Sequence, residues 1–163
     1  MRLFLKRVRI KMFKKAWVMK LLLNIWPPFL FCGIRIVNLS ADFREATVEL
    51  RMRPWNRNAF GTHFGGSLFS MTDPFYALML SALLGDQYYV WDKRADIDYV
   101  SPGKRIVSAK FIITDAMLND IIENTATGEK YLPEYPVVVK DDKGDIVANL
   151  NRQLYVRKKK RHR

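Results

Sequence analysis

Cysteine is almost absent from this chain. Cys32 is its single thiol, so no disulfide can close within one molecule, and this usage fits a reducing compartment, which makes the cytoplasm the expected location. Histidine is nearly as scarce. His63 and His162 are the only two, they stand far apart, and without clustered imidazole or thiolate ligands no metal is expected. There is no Gly-x-Ser-x-Gly elbow and no phosphate-cradling glycine loop, which leaves serine hydrolysis and nucleotide hydrolysis unsupported. Also lacking is any run of about 18 uninterrupted apolar residues that could span a bilayer. The opening segment is basic and then apolar, as a signal peptide would be, but Lys20 and Asn24 interrupt it, Pro27 and Pro28 close it early, and no small-x-small cleavage site follows. Bulky Phe31 stands before Cys32 where lipoprotein processing needs a small residue, and Met12 or Met19 could equally be the start of the chain.

Acid is missing from both ends. Residues 1–24 carry eight Lys or Arg and no Asp or Glu, and residues 157–163 carry six more Lys or Arg, so the net charge of +12 belongs to the termini. Residues 25–156 hold 14 basic and 16 acidic groups, and a body this close to neutral argues against specific nucleic-acid binding. The basic ends suit peripheral contact with an anionic membrane, because Trp17, Leu21 and Ile25 recur at helical spacing beside them. The competing reading packs this helix against its own domain.

What is present is an ordinary core-forming composition, 49% hydrophobic in 163 residues, enough for one domain. The expected layout is a basic amphipathic N-terminal helix over 1–28, a folded domain over 29–156 and a basic tail over 157–163. Segments 34–39 and 43–53 read as strands; in the second, Ala46, Val48, Leu50 and Met52 share one parity. Ser67 to Leu84 repeats apolar residues at three and four residue steps, from Leu68 and Met71 to Phe75, Met79 and Leu83, and reads as a core helix of about five turns. A strand from Tyr88 follows, with Tyr89, Trp91, Ala95, Ile97 and Tyr99 on one parity, and then a strand over 105–114, a helix near 116–124, a strand YPVVVK, the turn DDKGD and a long strand from Ile146. Trp91, Tyr99, Phe111 and Tyr155 read as core or sheet-packing residues. One helix followed by several antiparallel strands is an α+β arrangement.

The stretch from Asn58 to Asp73 carries the chemistry. Asn58, Gly61, Thr62, Gly65, Gly66 and Asp73 stand at spacings that resemble the pattern of hotdog-fold acyl-CoA thioesterases, in particular the branch called DUF4442. The histidine of that pattern would fall on Phe64, whereas His63 comes one place early. The resemblance implies a long central helix wrapped by a five- to six-stranded antiparallel sheet, a homodimer or homotetramer with sites between protomers, and hydrolysis of an acyl-CoA or similar thioester. Coenzyme A would belong to the substrate, with no separate cofactor. Under it Asp73 is the general base or nucleophile, Asn58 positions water, and amides near Gly65 and Gly66 hold the oxyanion, with Trp55, Arg57, Thr62, His63 and Ser70 as substrate-contacting candidates.

The residues support parts of this independently. Amides opening a helix have no intrahelical acceptor, and glycines there let a substrate approach the backbone closely. A carboxylate inside an apolar run can take a proton from water or attack a thioester directly. Asp-Pro is also a favoured helix opening, so Asp73 could instead cap a helix beginning at Pro74. His63 superficially resembles the base of hotdog dehydratases and hydratases, though a solvent-facing loop histidine is the simpler expectation. A catalytically silent acyl-CoA-binding protein is the remaining alternative.

Overall fold

The computed structural model describes residues 15–160. Residues 1–14 of the expected N-terminal helix and His162 of the tail lie outside the described residues. The described residues open with two short helices, α1 (Ala16–Ile25) and α2 (Pro27–Cys32), the second beginning with the Pro27–Pro28 pair and ending at Gly33 in the left-handed conformation. Proline suits the first turn of a helix because its missing N–H has no partner there anyway. Strands β1 (Ile34–Leu39) and β2 (Glu45–Arg51) form an antiparallel pair.

A central helical segment of 23 residues, Gly65–Gln87, comes next. It consists of α3 (Gly65–Ser70), a turn over 71–74, α4 (Phe75–Leu84) and a terminal 3-10 turn. The remaining elements are β3 (Tyr88–Tyr99), β4 (Ile106–Ile112), α5 (Asp115–Asn124), the two-residue β5 (Lys130–Tyr131), β6 (Glu134–Asp141) and β7 (Ile146–Lys158). Six strands form one antiparallel path in the order β1-β2-β4-β6-β7-β3, with β5 paired to β7 off the path. This is the α+β hotdog arrangement. By length and composition Gly65–Gln87 could cross a membrane, but Leu68, Met71, Phe75, Met79 and Leu80 on it are buried, which makes it the core helix of the domain. A chain of rings joins it to the sheet and to α2: Phe29, Phe75 and Phe111 lie 6.1 and 4.9 Å apart in sequence of contact, and Tyr76 meets both Phe111 and Tyr135.

Two strand assignments differ from expectation. The last strand continues through Lys158, two residues into the expected tail. On β3 the alternation breaks at a bulge between Asp92 and Arg94, so Tyr88, Val90 and Asp92 turn inward before it and Ala95 and Ile97 after it. Phe111 is buried as expected, but Trp91 and Tyr99 are half exposed, Trp91 stacking on Tyr155 at 4.2 Å on the outer face. A bulge adds one residue and therefore reverses which parity faces the core.

Asn24, which interrupts the apolar run of α1, clasps the outer edge of β1. Its side chain donates to the Ile36 carbonyl at 3.1 Å and accepts the Ile36 N–H at 2.8 Å, satisfying both polar groups of a residue on an edge strand. Asn24→Ala is expected to cost about 1–3 kcal/mol by leaving these groups unpaired, read as a lower urea midpoint with an unchanged slope.

Candidate functional site

The site is organised around the interruption of the central helix. The Asp73–Pro74 peptide is cis, and the helical bonding of α3 ends in the turn before it, where the Thr72 and Asp73 N–H groups donate to the Phe69 and Ser70 carbonyls. Proline at position 74 has no N–H to carry the ladder onward. The capping alternative for Asp73 does not occur: α4 begins at Phe75 behind Pro74 with no side-chain cap. The Asp73 carboxylate instead lies 3.5 Å from the Arg152 Nη1, with its side chain 51% exposed.

Arg152 is 3% exposed. On β7 it occupies the inward row otherwise made of Ala148, Leu150, Leu154 and Val156. A guanidinium has five donors and stays charged, so burial demands partners. Nη2 donates to Thr72 Oγ1 at 2.7 Å and to the Phe69 carbonyl at 3.0 Å, and the group lies 4.7 Å from the centre of the Phe69 ring. Its Nε makes no hydrogen bond. Arg152 thus ties β7 to the turn that interrupts the helix, sharing the Phe69 carbonyl with the N–H and hydroxyl of Thr72.

The same Nη1 is 3.8 Å from Asp92, which the β3 bulge turns inward. Burial, first, and then the neighbouring Asp73 charge push the Asp92 pKa up to about 6, with Arg152 opposing the rise and a hydrogen bond between the two carboxyl groups adding to it. Two acids beside one cation at this spacing resist losing both protons. Burial pulls the Arg152 pKa down while Asp73 and Asp92 hold it up.

The remaining candidates form a separate loop. Asn58 accepts the Phe60 and Thr62 N–H groups on its Oδ1 and donates to Thr62 Oγ1 and the His63 carbonyl. All four of these bonds stay within 58–63, so the Asn58 amide holds its own loop rather than a water. The expectation of a solvent-facing His63 is wrong. It is 3% exposed, its backbone pairs with Arg57 and Gly103, and neither ring nitrogen makes a well-formed hydrogen bond. Burial lowers its pKa, offset in part by the Arg105 backbone, and a buried ring is closed to a carbon-acid substrate. Arg57 is exposed on the loop. Trp55 is 68% exposed and donates its indole N–H to the Phe31 carbonyl at the end of α2.

At the start of α3, Ser67 and Leu68 N–H both return to the Phe64 carbonyl, so the Gly65 and Gly66 amides precede the first helical bond. Tyr99 donates its hydroxyl to the Gly65 carbonyl at 3.1 Å, and a Cβ on Gly65 would meet that hydroxyl at 3.0 Å. A Cβ on Gly66 would meet the Phe64 ring at 2.3 Å. The glycines therefore admit two aromatic rings of the same chain against the helix start. Ser70 donates to the Gly66 carbonyl at 2.7 Å, one turn back.

The family profile of DUF4442, a domain of unknown function, matches residues 14–156. The chain belongs to the DUF4442 family. No curated protein matches the sequence. Among solved structures it is similar to a Pseudomonas aeruginosa protein of unknown function described as a probable thioesterase, at 16% identity and TM-score 0.74 over 88% of this chain and 95% of that one. A Haemophilus influenzae thioesterase aligns at 11% identity and TM-score 0.64, covering 88% of this chain and 91% of its own. A variant of a Staphylococcus aureus thioesterase aligns at 14% and 0.58, covering 80% and 98%. At these identities the likeness establishes a shared fold, that of hotdog thioesterase structures.

In this DUF4442 chain the sequence pattern led to Asp73 but missed Asp92 and Arg152. A signal for Arg152 existed: one arginine in the apolar parity of a long strand. Asp92 had none, because the bulge conceals its direction. A raised pKa means that the folded state holds the Asp92 proton more tightly than the unfolded chain. Its stabilising contribution is present below the ordinary value of 3.8 and lost as pH rises through about 6. Asp92→Asn should remove that loss, so its stability relative to wild type rises between pH 4 and pH 8 in urea unfolding.

Proposed function

We propose that this protein hydrolyses an acyl-CoA or a related acyl thioester, with Asp73 as the general base. The observation that carries the reading is a buried guanidinium aimed at a half-exposed carboxylate in the break of the central helix. Charge of that kind is costly in a core, and Arg152 holds the Asp73 carboxylate in place by an ion pair at 3.5 Å. Asp73 takes a proton from water as the water oxygen bonds to the thioester carbon. The carbonyl oxygen gains the charge, which amides at Gly65 and Gly66 would stabilise. The carbon–sulfur bond then breaks, and the thiolate leaves to collect the proton.

The site is shared between two copies in this reading, as the resemblance to hotdog enzymes implies, with Asp73 of one facing the glycine turn of the other. Half exposure of Asp73 in a single protomer fits that, and so does β3, a 12-residue strand at the open edge of the sheet carrying exposed Tyr89 and Trp91. Association is then a homodimer or a pair of such dimers. One observation favours a second reading, a non-catalytic acyl-CoA binder: Phe64 stands where the thioesterase pattern has histidine, and its ring covers Gly66.

Thiol release from acyl-CoA esters of graded chain length separates the two. Wild type should turn over at least one ester, and Asp73→Asn should lower kcat/KM by about 10²- to 10⁴-fold with the fold intact; binding without turnover at every chain length supports the silent reading. Below about pH 6 Asp92 holds a proton, and donating it to Asp73 occupies an oxygen that would otherwise accept the proton of water. The kcat/KM should therefore rise through about pH 6. In Asp92→Asn the amide donates at every pH, and that rise should flatten.

A further inference from the structure

Helix α1 has two apolar faces, and the fold uses only one. Ala16, Met19 and Leu23 are buried on the domain, while Trp17, Leu21 and Ile25 on the other side are 66%, 52% and 57% exposed. The outer stripe continues past the Pro27 turn onto α2, where Leu30 and Phe31 are 53% and 68% exposed. Trp55 adjoins it, its indole tied to the Phe31 carbonyl at 3.2 Å. Singly exposed apolar residues are ordinary, but a contiguous run across two helices marks a contact surface.

Charge identifies what meets it. The residues leading into and through α1, 1–24, carry eight Lys or Arg without an acid, whereas 25–156 is near neutral with 14 basic and 16 acidic groups. In sequence this charge immediately precedes and enters α1, with Lys15 exposed at the helix start. A second copy laid on the same face would bring two such segments together and suffer like-charge repulsion. Nucleic acid would answer the charge but leave Leu21, Ile25 and Leu30 in water. An anionic bilayer answers both, since headgroups take the lysines and arginines while indole and aliphatic side chains enter the boundary beneath them. A helix of ten residues is about 15 Å long, half a bilayer core, so it lies on the surface instead of crossing it.

We propose that the outer face of α1 and α2, with Trp55, is a docking surface for an anionic lipid bilayer, and that it holds this domain at the membrane independently of the hydrolytic site. Asn24 and the inner face of α1 fasten the surface to the sheet.

Sedimentation of the full chain with vesicles of phosphatidylglycerol and phosphatidylcholine, against phosphatidylcholine alone, tests the proposal. Wild type should bind the anionic vesicles at least tenfold more strongly, and the preference should weaken as salt is raised. The variant Trp17→Ala/Leu21→Ala/Phe31→Ala should lose at least tenfold in binding while its circular dichroism and thiol-release activity stay as in wild type. Absence of wild-type binding, or equal binding by the triple variant, overturns the proposal. A triple variant that dissociates a wild-type oligomer in gel filtration also overturns it, by giving the face to a second copy. The vesicle-binding, circular-dichroism and gel-filtration readings do not depend on whether thioesters are cleaved.

Discussion

A guanidinium buried in the sheet governs the organisation of this domain. Arg152 sits among aliphatic neighbours on β7, where an unpartnered charge would be prohibitive. It is tolerated because the interrupted central helix offers the Phe69 carbonyl and the Thr72 hydroxyl, and because two carboxylates stand within 3.8 Å of one of its nitrogens. Each partner depends on the others. The turn at 71–74 presents the Thr72 hydroxyl and the Asp73 carboxylate to the guanidinium, and the β3 bulge lets Asp92 and Ala95 both face inward.

That mutual dependence joins fold to chemistry. The β3–β7 pairing sets Asp92 and Arg152 at neighbouring levels, Asp92 opposite Leu154 and Ala95 opposite Arg152 across the bulge. The resulting cluster holds one acid half exposed and another buried enough to keep its proton to about pH 6. Burial and the neighbouring Asp73 charge together raise the proton affinity of Asp92. The Asn58 loop plays another part, fixing the chain that leads into Gly65 and Gly66 through its own hydrogen bonds.

At the opposite end of the chain, α1 faces both the core and the solvent with apolar side chains. Met19 and Leu23 bury against the domain, and Asn24 spends its amide on the β1 edge. Trp17, Leu21 and Ile25 are left outward beside the only strongly basic part of the chain preceding the domain. One short helix therefore serves as both edge cover and outer surface.

Much of this was legible in residue order. Alternation in 45–51 and 146–156, and the three- and four-residue steps from Leu68 to Leu83, specified strands and a core helix because burial imprints a local period on the chain. The Asn58–Asp73 pattern marked the turn and the acid within sixteen consecutive residues. The break at Pro74 was foreseeable as a kink, since a missing N–H is a local fact. The partners of Asp73 were not, because Arg152 lies 79 positions away and Asp92 reaches the core only through a bulge. The burial of His63 escaped for the same reason: Gly103, brought against it by the fold, closes it from solvent. Periodicity tells which face of an element is covered, and it is local. Which side chains meet there depends on register between distant strands, and only tertiary pairing decides that.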